Sequence, residues 1–136
     1  MTWRVAKCLL VLRDQLNALA PARSKASDGT IGDAAHLTRA SDHNPWVREG
    51  DVGIVTALDI THDPEHGCDA GLLAEQLVQS RDPRIKYVIF DRRICSSRIE
   101  PWVWRPYTGK NPHTTHVHIS AIPDKDAYDD QTPWLL

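Results

Sequence analysis

The chain is poor in the features that settle many assignments quickly. Among its 136 residues there are three cysteines, one methionine and one phenylalanine, and 16 Lys and Arg stand against 18 Asp and Glu. Cys8, Cys68 and Cys95 are odd in number, far apart and form no C-x-x-C. That argues against a disulfide framework and against cysteine ligation of a metal, so three reduced thiols in or near a core are expected. A formal net charge of −2 without a basic stripe leaves no electrostatic case for nucleic acid or an anionic membrane as partner. Long apolar runs are missing too: residues 5–20 contain Lys7, Arg13 and Asp14, which suits neither a membrane span nor a secretory apolar core. The chain is therefore expected to be made in the cytoplasm without a signal peptide. No G-x-S-x-G, no phosphate-cradling glycine loop and no internal repeat occurs.

What is present has the length and composition of one domain, residues 1–136, with 41% hydrophobic residues and enough chain to bury a core unaided. In residues 5–20, Val5, Cys8, Leu9, Leu12, Leu16 and Leu19 recur at three- and four-residue steps, one face of a helix. Pro21 and a small-polar run up to Asp33 read as a loop, and residues 34–40 as a short helix. Ser41-Asp42-His43-Asn44-Pro45 is a turn, because Pro45 biases Asn44 away from helix. Residues around 46–55 read as a polar loop leading into a strand over 54–60, with Val55, Ala57 and Asp59 on one side. A helix is predicted over 69–81, capped by Asp69 and buried through Ala70, Leu73, Ala74 and Leu77. A buried strand over 86–90 can pair with residues 92–96 through a turn near Asp91. Trp102, Trp104 and Tyr107 lie in a loop-rich stretch, and the tail from Pro123 reads as a surface wrap. The predicted class is α+β, a small sheet flanked by helices, and a monomer is expected.

Chemistry concentrates in Asn111-Pro112-His113-Thr114-Thr115-His116-Val117-His118-Ile119-Ser120. The β-branched residues make His116 to Ile119 a strand, which puts His116 and His118 on one face. Asp59 in an apolar strand is expensive unless it is paired or ligates a cation. Together with His43, Asp59 and one histidine of the His116–His118 pair offer two imidazoles and a carboxylate with a fourth position open, the donor set of a catalytic zinc site holding one ion. One imidazole of the H-x-H pair can bind metal while the other stands within reach of a scissile carbonyl. Zinc lowers the pKa of its water to about 7 and polarises a carbonyl; a neighbouring histidine can move the proton or stabilise the oxyanion. The pattern points to amide hydrolysis. Arg39 can clamp a substrate carboxylate. His36 and His66 read as surface residues, and His62, three residues past Asp59, is a lesser candidate for a supporting role. Trp102, Trp104 and Tyr107 read first as core and second as a groove lining.

Ser41-Asp42-His43, Ala57-Leu58-Asp59 and His113-x-x-His116-x-His118 together resemble the zinc-dependent D-Ala-D-Ala carboxypeptidase family. Its wider group includes phage L-alanyl-D-glutamate endopeptidases, lysostaphin-type peptidases and the hedgehog N-terminal domain. The resemblance covers about residues 23–120 and is nearest to small cell-wall peptidases of phages of actinobacteria. It implies a hedgehog/DD-peptidase-like fold with His43, Asp59 and His118 as zinc ligands and His116 as the catalytic histidine. His113 is implied as an additional catalytic-site histidine, and Arg39 and Ser41 as substrate-positioning residues. The implied substrate is a peptidoglycan stem peptide, cut by a carboxypeptidase or endopeptidase that reaches the wall after release from the host cytoplasm. A non-catalytic module that keeps the zinc site is the alternative, and a metal-dependent nuclease a third reading that the acidic balance disfavours. Two departures stand out. The family spaces its histidine and aspartate more closely, whereas His43 and Asp59 are sixteen positions apart. Thr115 occupies the place where members often carry an acid, so proton transfer is assigned to His116 aided by His113, with Asp42 and Asp63 as lesser substitutes.

Overall fold

The computed structural model describes residues 2–32 and 41–136. The helix expected over 34–40, and with it His36 and Arg39, lies outside the described residues. The described part is a mixed α+β fold built on two small sheets. The first is ordered β1-β3-β2: β1 (Thr2–Val5) runs parallel to β3 (Val52–Val55), which pairs antiparallel with β2 (Val47–Glu49). The second is wholly antiparallel and ordered β4-β8-β5-β6-β7. Its strands are β4 (Ala57–Thr61), β5 (Ile85–Phe90), β6 (Arg93–Ser96), β7 (Trp104–Pro106) and β8 (His116–Ala121).

Two helices supply the apolar cover. α1 (Lys7–Leu19) buries Cys8, Leu9, Leu12 and Leu16, and Pro21 follows directly on its C-cap, Ala20. α2 (Ala70–Ser80) starts where Asp69 Oδ1 accepts from the Leu72 amide at 3.0 Å, and it buries Ala70, Leu73, Ala74 and Leu77 as the spacing predicts. One apolar cluster joins Leu9 and Leu12 to Leu58 and Ile60 of β4, Leu73 and Leu77 of α2, and Val117 and Ile119 of β8. Strand alternation then sets the plan of the molecule. Val117, Ile119 and Ala121 of β8 turn to this core, so His116, His118 and Ser120 must face the other way.

Several boundaries differ from the sequence reading. The strand expected over 54–60 is two strands in two sheets, broken at Thr56. The Thr56 amide donates to the Asp42 carbonyl at 3.2 Å, and its carbonyl accepts from the Ala121 amide at 2.8 Å. No glycine or proline marks that break, since the stretch is buried on both sides of it. Residues 47–55 form a hairpin rather than a loop, with Gly50 at φ 59° in the two-residue turn. Val5 ends β1 instead of joining the helix stripe, and Leu19 is 68% exposed.

The tail does wrap, but it also enters the core. α3 (Lys125–Tyr128) leads to Trp134, whose Nε1 donates to the Cys8 carbonyl at 2.9 Å while the Arg84 guanidinium lies 3.9 Å from its ring. The three cysteines are free and buried, as expected. Among the described residues no helix is long and apolar enough to cross a membrane.

Candidate metal centre

The β4–β8 ladder sets Asp59 opposite His118 and Thr61 opposite His116, while β5 places Ile89 on the other side of His118. A carboxylate and two imidazoles thereby share one sheet face. The outer edge of β4 is closed by Gly29, whose amide and carbonyl both bond to the Asp59 backbone at 3.2 and 2.8 Å. His43 arrives from the turn over residues 41–44. There Ser41 Oγ accepts from the His43 amide at 3.2 Å, and the Ser41 carbonyl accepts from the Asn44 amide at 3.0 Å.

Donor atoms of three residues converge. His43 Nε2 lies 3.2 Å from Asp59 Oδ2 and 3.2 Å from His118 Nδ1, and His118 Nδ1 lies 3.1 Å from Asp59 Oδ1. Ligands about 2.0–2.1 Å from a tetrahedral ion stand roughly 3.3 Å from one another, so the triangle has the dimensions of a tetrahedral zinc face. The outer nitrogens are fixed as well. His43 Nδ1 is 2.6 Å from the Thr30 carbonyl, which can only accept, so Nδ1 carries a proton and Nε2 is the nitrogen turned inward, available to a metal once it is unprotonated. His118 Nε2 is 2.8 Å from Ser120 Oγ, and the Tyr87 ring stacks on His118 at 5.4 Å between centroids.

The electrostatics tell the same story from the protons' side. Burial opposes ionisation of Asp59, but hydrogen bonds from His118 and His43 override it and hold the carboxyl well below the usual range. Burial likewise works against the charged form of His43, and the hydrogen bond and charge of Asp59, the Thr30 carbonyl and the charge of Asp42 together more than offset it, so its pKa rises. Two imidazole nitrogens and a carboxylate are thus packed within hydrogen-bond distance of one another. A proton serves in the metal-free protein, and a divalent cation fits the same place.

Beside this triangle stand two histidines of different character. His116 Nδ1 is 3.0 Å from the Thr115 hydroxyl, whereas its Nε2 is buried without a hydrogen-bond partner among the described residues, 3.8 Å from Asp59 Oδ2. His113 packs edge-on to His116 with centroids 5.0 Å apart, and its Nδ1 is also buried and unpartnered. Burial, then the neighbouring His118 and His116, push His113 down to about 4. Burial also lowers His116, against the pull of Asp59. His113 adopts φ 55°, a left-handed conformation held by Asn111 Oδ1 accepting its amide at 2.9 Å and by its carbonyl accepting from the Asp91 amide at 2.8 Å.

The five groups and Ser41 line one cleft, together with Tyr87, Ile89, Tyr107, Lys110 and Asn111. Of the residues singled out in the sequence, His43, Asp59, His113, His116, His118 and Ser41 are brought together, and Arg39 lies outside the described residues. Ser41 does so with its hydroxyl turned onto the His43 amide. The lesser candidates are engaged elsewhere. His62 Nδ1 accepts from the Ala70 amide at 3.0 Å, Asp42 pairs with Lys86 Nζ at 2.9 Å, and Asp63 accepts from the Ser24 amide and His66. Tyr107 lines the cleft, while Trp102 and Trp104 pack against the core. Sequence reasoning gave no role to Thr30, Tyr87, Lys110 or Ser120. Only Ser120 had a signal, as the next residue on the His116–His118 face. No family model, curated protein or solved structure matches this chain.

Proposed function

We propose that this chain is a zinc-dependent hydrolase of hedgehog/DD-peptidase-like fold that cleaves an amide bond in peptidoglycan stem peptides. The observation that carries the reading is the 3.1–3.2 Å triangle of His43, Asp59 and His118, with an unpartnered His116 Nε2 beside it in an open cleft. The donor set suits the ion: two imidazoles oriented through their outer nitrogens and one carboxylate are borderline ligands that zinc accepts. When bound there, zinc supplies Lewis-acid polarisation of a carbonyl and a water of lowered pKa.

The remaining work falls to the chain. His116 Nε2, neutral because burial lowers its pKa, is free to take a proton during attack and to return it to the leaving amine. The Thr115 hydroxyl at Nδ1 fixes that ring where a carboxylate is common in the family it resembles. His113, itself buried, packs edge-on against that ring. Ser41 holds the ligand turn, and Arg39 is assigned to a substrate carboxylate, a charge that Lys110 at the cleft wall also complements. Release to the wall at the end of a phage infection, after synthesis in the host cytoplasm, follows from the family resemblance.

The test is mass spectrometry of purified peptidoglycan fragments after incubation with the protein, with chelator and after zinc is restored. Products that vanish with chelator and return with zinc are expected, and their masses name the bond. Intact fragments in every arm, with metal bound to the protein, would replace this reading with a non-catalytic wall-binding module.

A further inference from the structure

We propose that the cleft holds a second divalent-cation position, formed by His113, His116 and Asp59, so that Asp59 is shared between two ions. His113, His116 and Asp59 each offer one ligand atom, and these atoms lie within 4.8 Å of one another, a grouping separate from that of His43 and His118. The two histidines are 8% and 9% exposed, and one nitrogen of each, His113 Nδ1 and His116 Nε2, has no hydrogen-bond partner among the described residues. Buried polar atoms are rarely left so, because each forfeits its bonds to water and gains none in return. Two of them beside one carboxylate form a site that lacks only its cation.

The surrounding chain holds these atoms in place. The Thr115 hydroxyl occupies His116 Nδ1, which leaves Nε2 as the donor facing Asp59 Oδ2. The left-handed backbone at His113 is braced by Asn111 and Asp91, so its ring stands edge-on to His116 rather than out in solvent. Asp59 turns Oδ1 to His118 and Oδ2 to both His43 and His116. A carboxylate so placed can bridge two ions, the arrangement of two-metal sites. Imidazole and carboxylate donors suit zinc, nickel or copper. Both positions draw on two imidazoles and one shared carboxylate, but His116 Nε2 stands 3.8 Å from Asp59 against 3.1–3.2 Å for His118 and His43, so the second ion binds more weakly than the first.

One consequence rests on the proposed hydrolase: the second ion occupies His116 Nε2, the proton-transfer atom, so excess zinc inhibits. The position itself does not depend on that reading. Metal-stripped full-length protein is titrated with zinc, and bound metal per chain is read by native mass spectrometry and calorimetry. Two equivalents of unequal affinity are expected for the wild type. His113→Gln and His116→Gln should each lose the weaker equivalent and keep the tighter, whereas His118→Ala loses the tighter. One equivalent at saturation in the wild type overturns the proposal, as do two equivalents retained in both glutamine variants. Failure to cut peptidoglycan while two equivalents bind would remove the hydrolase reading and leave this one standing.

Discussion

Asp59 and His118 face each other across the β4–β8 ladder, Oδ1 to Nδ1 at 3.1 Å, in a register that also sets Thr61 against His116. A strand places its odd and even residues on opposite faces, so the two histidines of H-x-H meet the same carboxylate at different distances: His118 at 3.1 Å and His116 at 3.8 Å. The nearer ring shares Asp59 with His43; the farther one keeps a free nitrogen.

This difference predicts a split between two substitutions of the same type on the same strand. His118→Ala removes a corner of the triangle, and metal and turnover should be lost together. His116→Ala should retain the tight equivalent of zinc and lose turnover by about 10²–10⁴-fold, the usual worth of a positioned acid–base group. Metal content after dialysis, measured beside fragment cleavage, separates the two. Equal metal loss in both variants would mean that His116 is a primary ligand.

The outer partner of His118 gives a second prediction. Ser120 Oγ, fully buried and 2.8 Å from Nε2, sets which nitrogen of the ring turns toward Asp59. Ser120→Ala should weaken zinc affinity by about 10–100-fold without removing any ligand, as losses of such outer contacts do. Competition against a chromophoric chelator measures it. Unchanged affinity would show that stacking on Tyr87 alone orients the ring.

Much of this centre was legible because its residues follow strand and turn rules. The alternation His116-Val117-His118-Ile119 marks a strand with one polar face, and Asp59 stands out in an apolar run. The Asp69 cap and the stripe of α2 were equally plain. What the residues did not show depends on distant pairing. β1 is four residues long and exists through a parallel ladder with β3, fifty residues away, which no local period reports. The break at Thr56 is made by hydrogen bonds to Asp42 and Ala121, not by a breaker residue. The fifteen residues between His43 and Asp59 contain a hairpin, which carries the chain out and back to the same cleft. Tyr87 and Lys110 line that cleft with nothing in their sequence surroundings to mark them.

The tail supplies a control remote from the chemistry. Trp134 is 3% exposed, donates to the Cys8 carbonyl, and exchanges two further bonds with Gln15 at 2.8 and 3.0 Å. Trp134→Ala should destabilise the fold by about 3–5 kcal/mol in urea unfolding, the cost of emptying a large aromatic site. Zinc affinity below the transition should be unaltered, since Trp134 is not among the residues lining the cleft. A loss of metal without a loss of stability would mean that the tail acts on the site directly.

Acid should reveal His113 in the metal-free protein. Its pKa falls from the ordinary value of 6.5 to about 4 in the fold, through burial first and then the neighbouring His118 and His116. Between those values the unfolded chain binds a proton that the folded chain refuses, so stability rises with pH across this window and is lost on acidification. At about 1.4 kcal/mol per pKa unit the full loss is on the order of 3 kcal/mol. His43 acts in the opposite sense: its raised pKa favours the protonated fold below its unfolded value, and that contribution fades as pH climbs through the folded one. The comparison that isolates His113 is therefore wild type against His113→Gln, unfolded by urea at pH 7.5 and pH 4.5 with chelator present. Wild type should lose more stability than the variant between the two conditions, by up to about 3 kcal/mol. Parallel losses would mean that His113 already finds a partner for its proton in the fold, and its buried nitrogen would no longer count as a vacant donor.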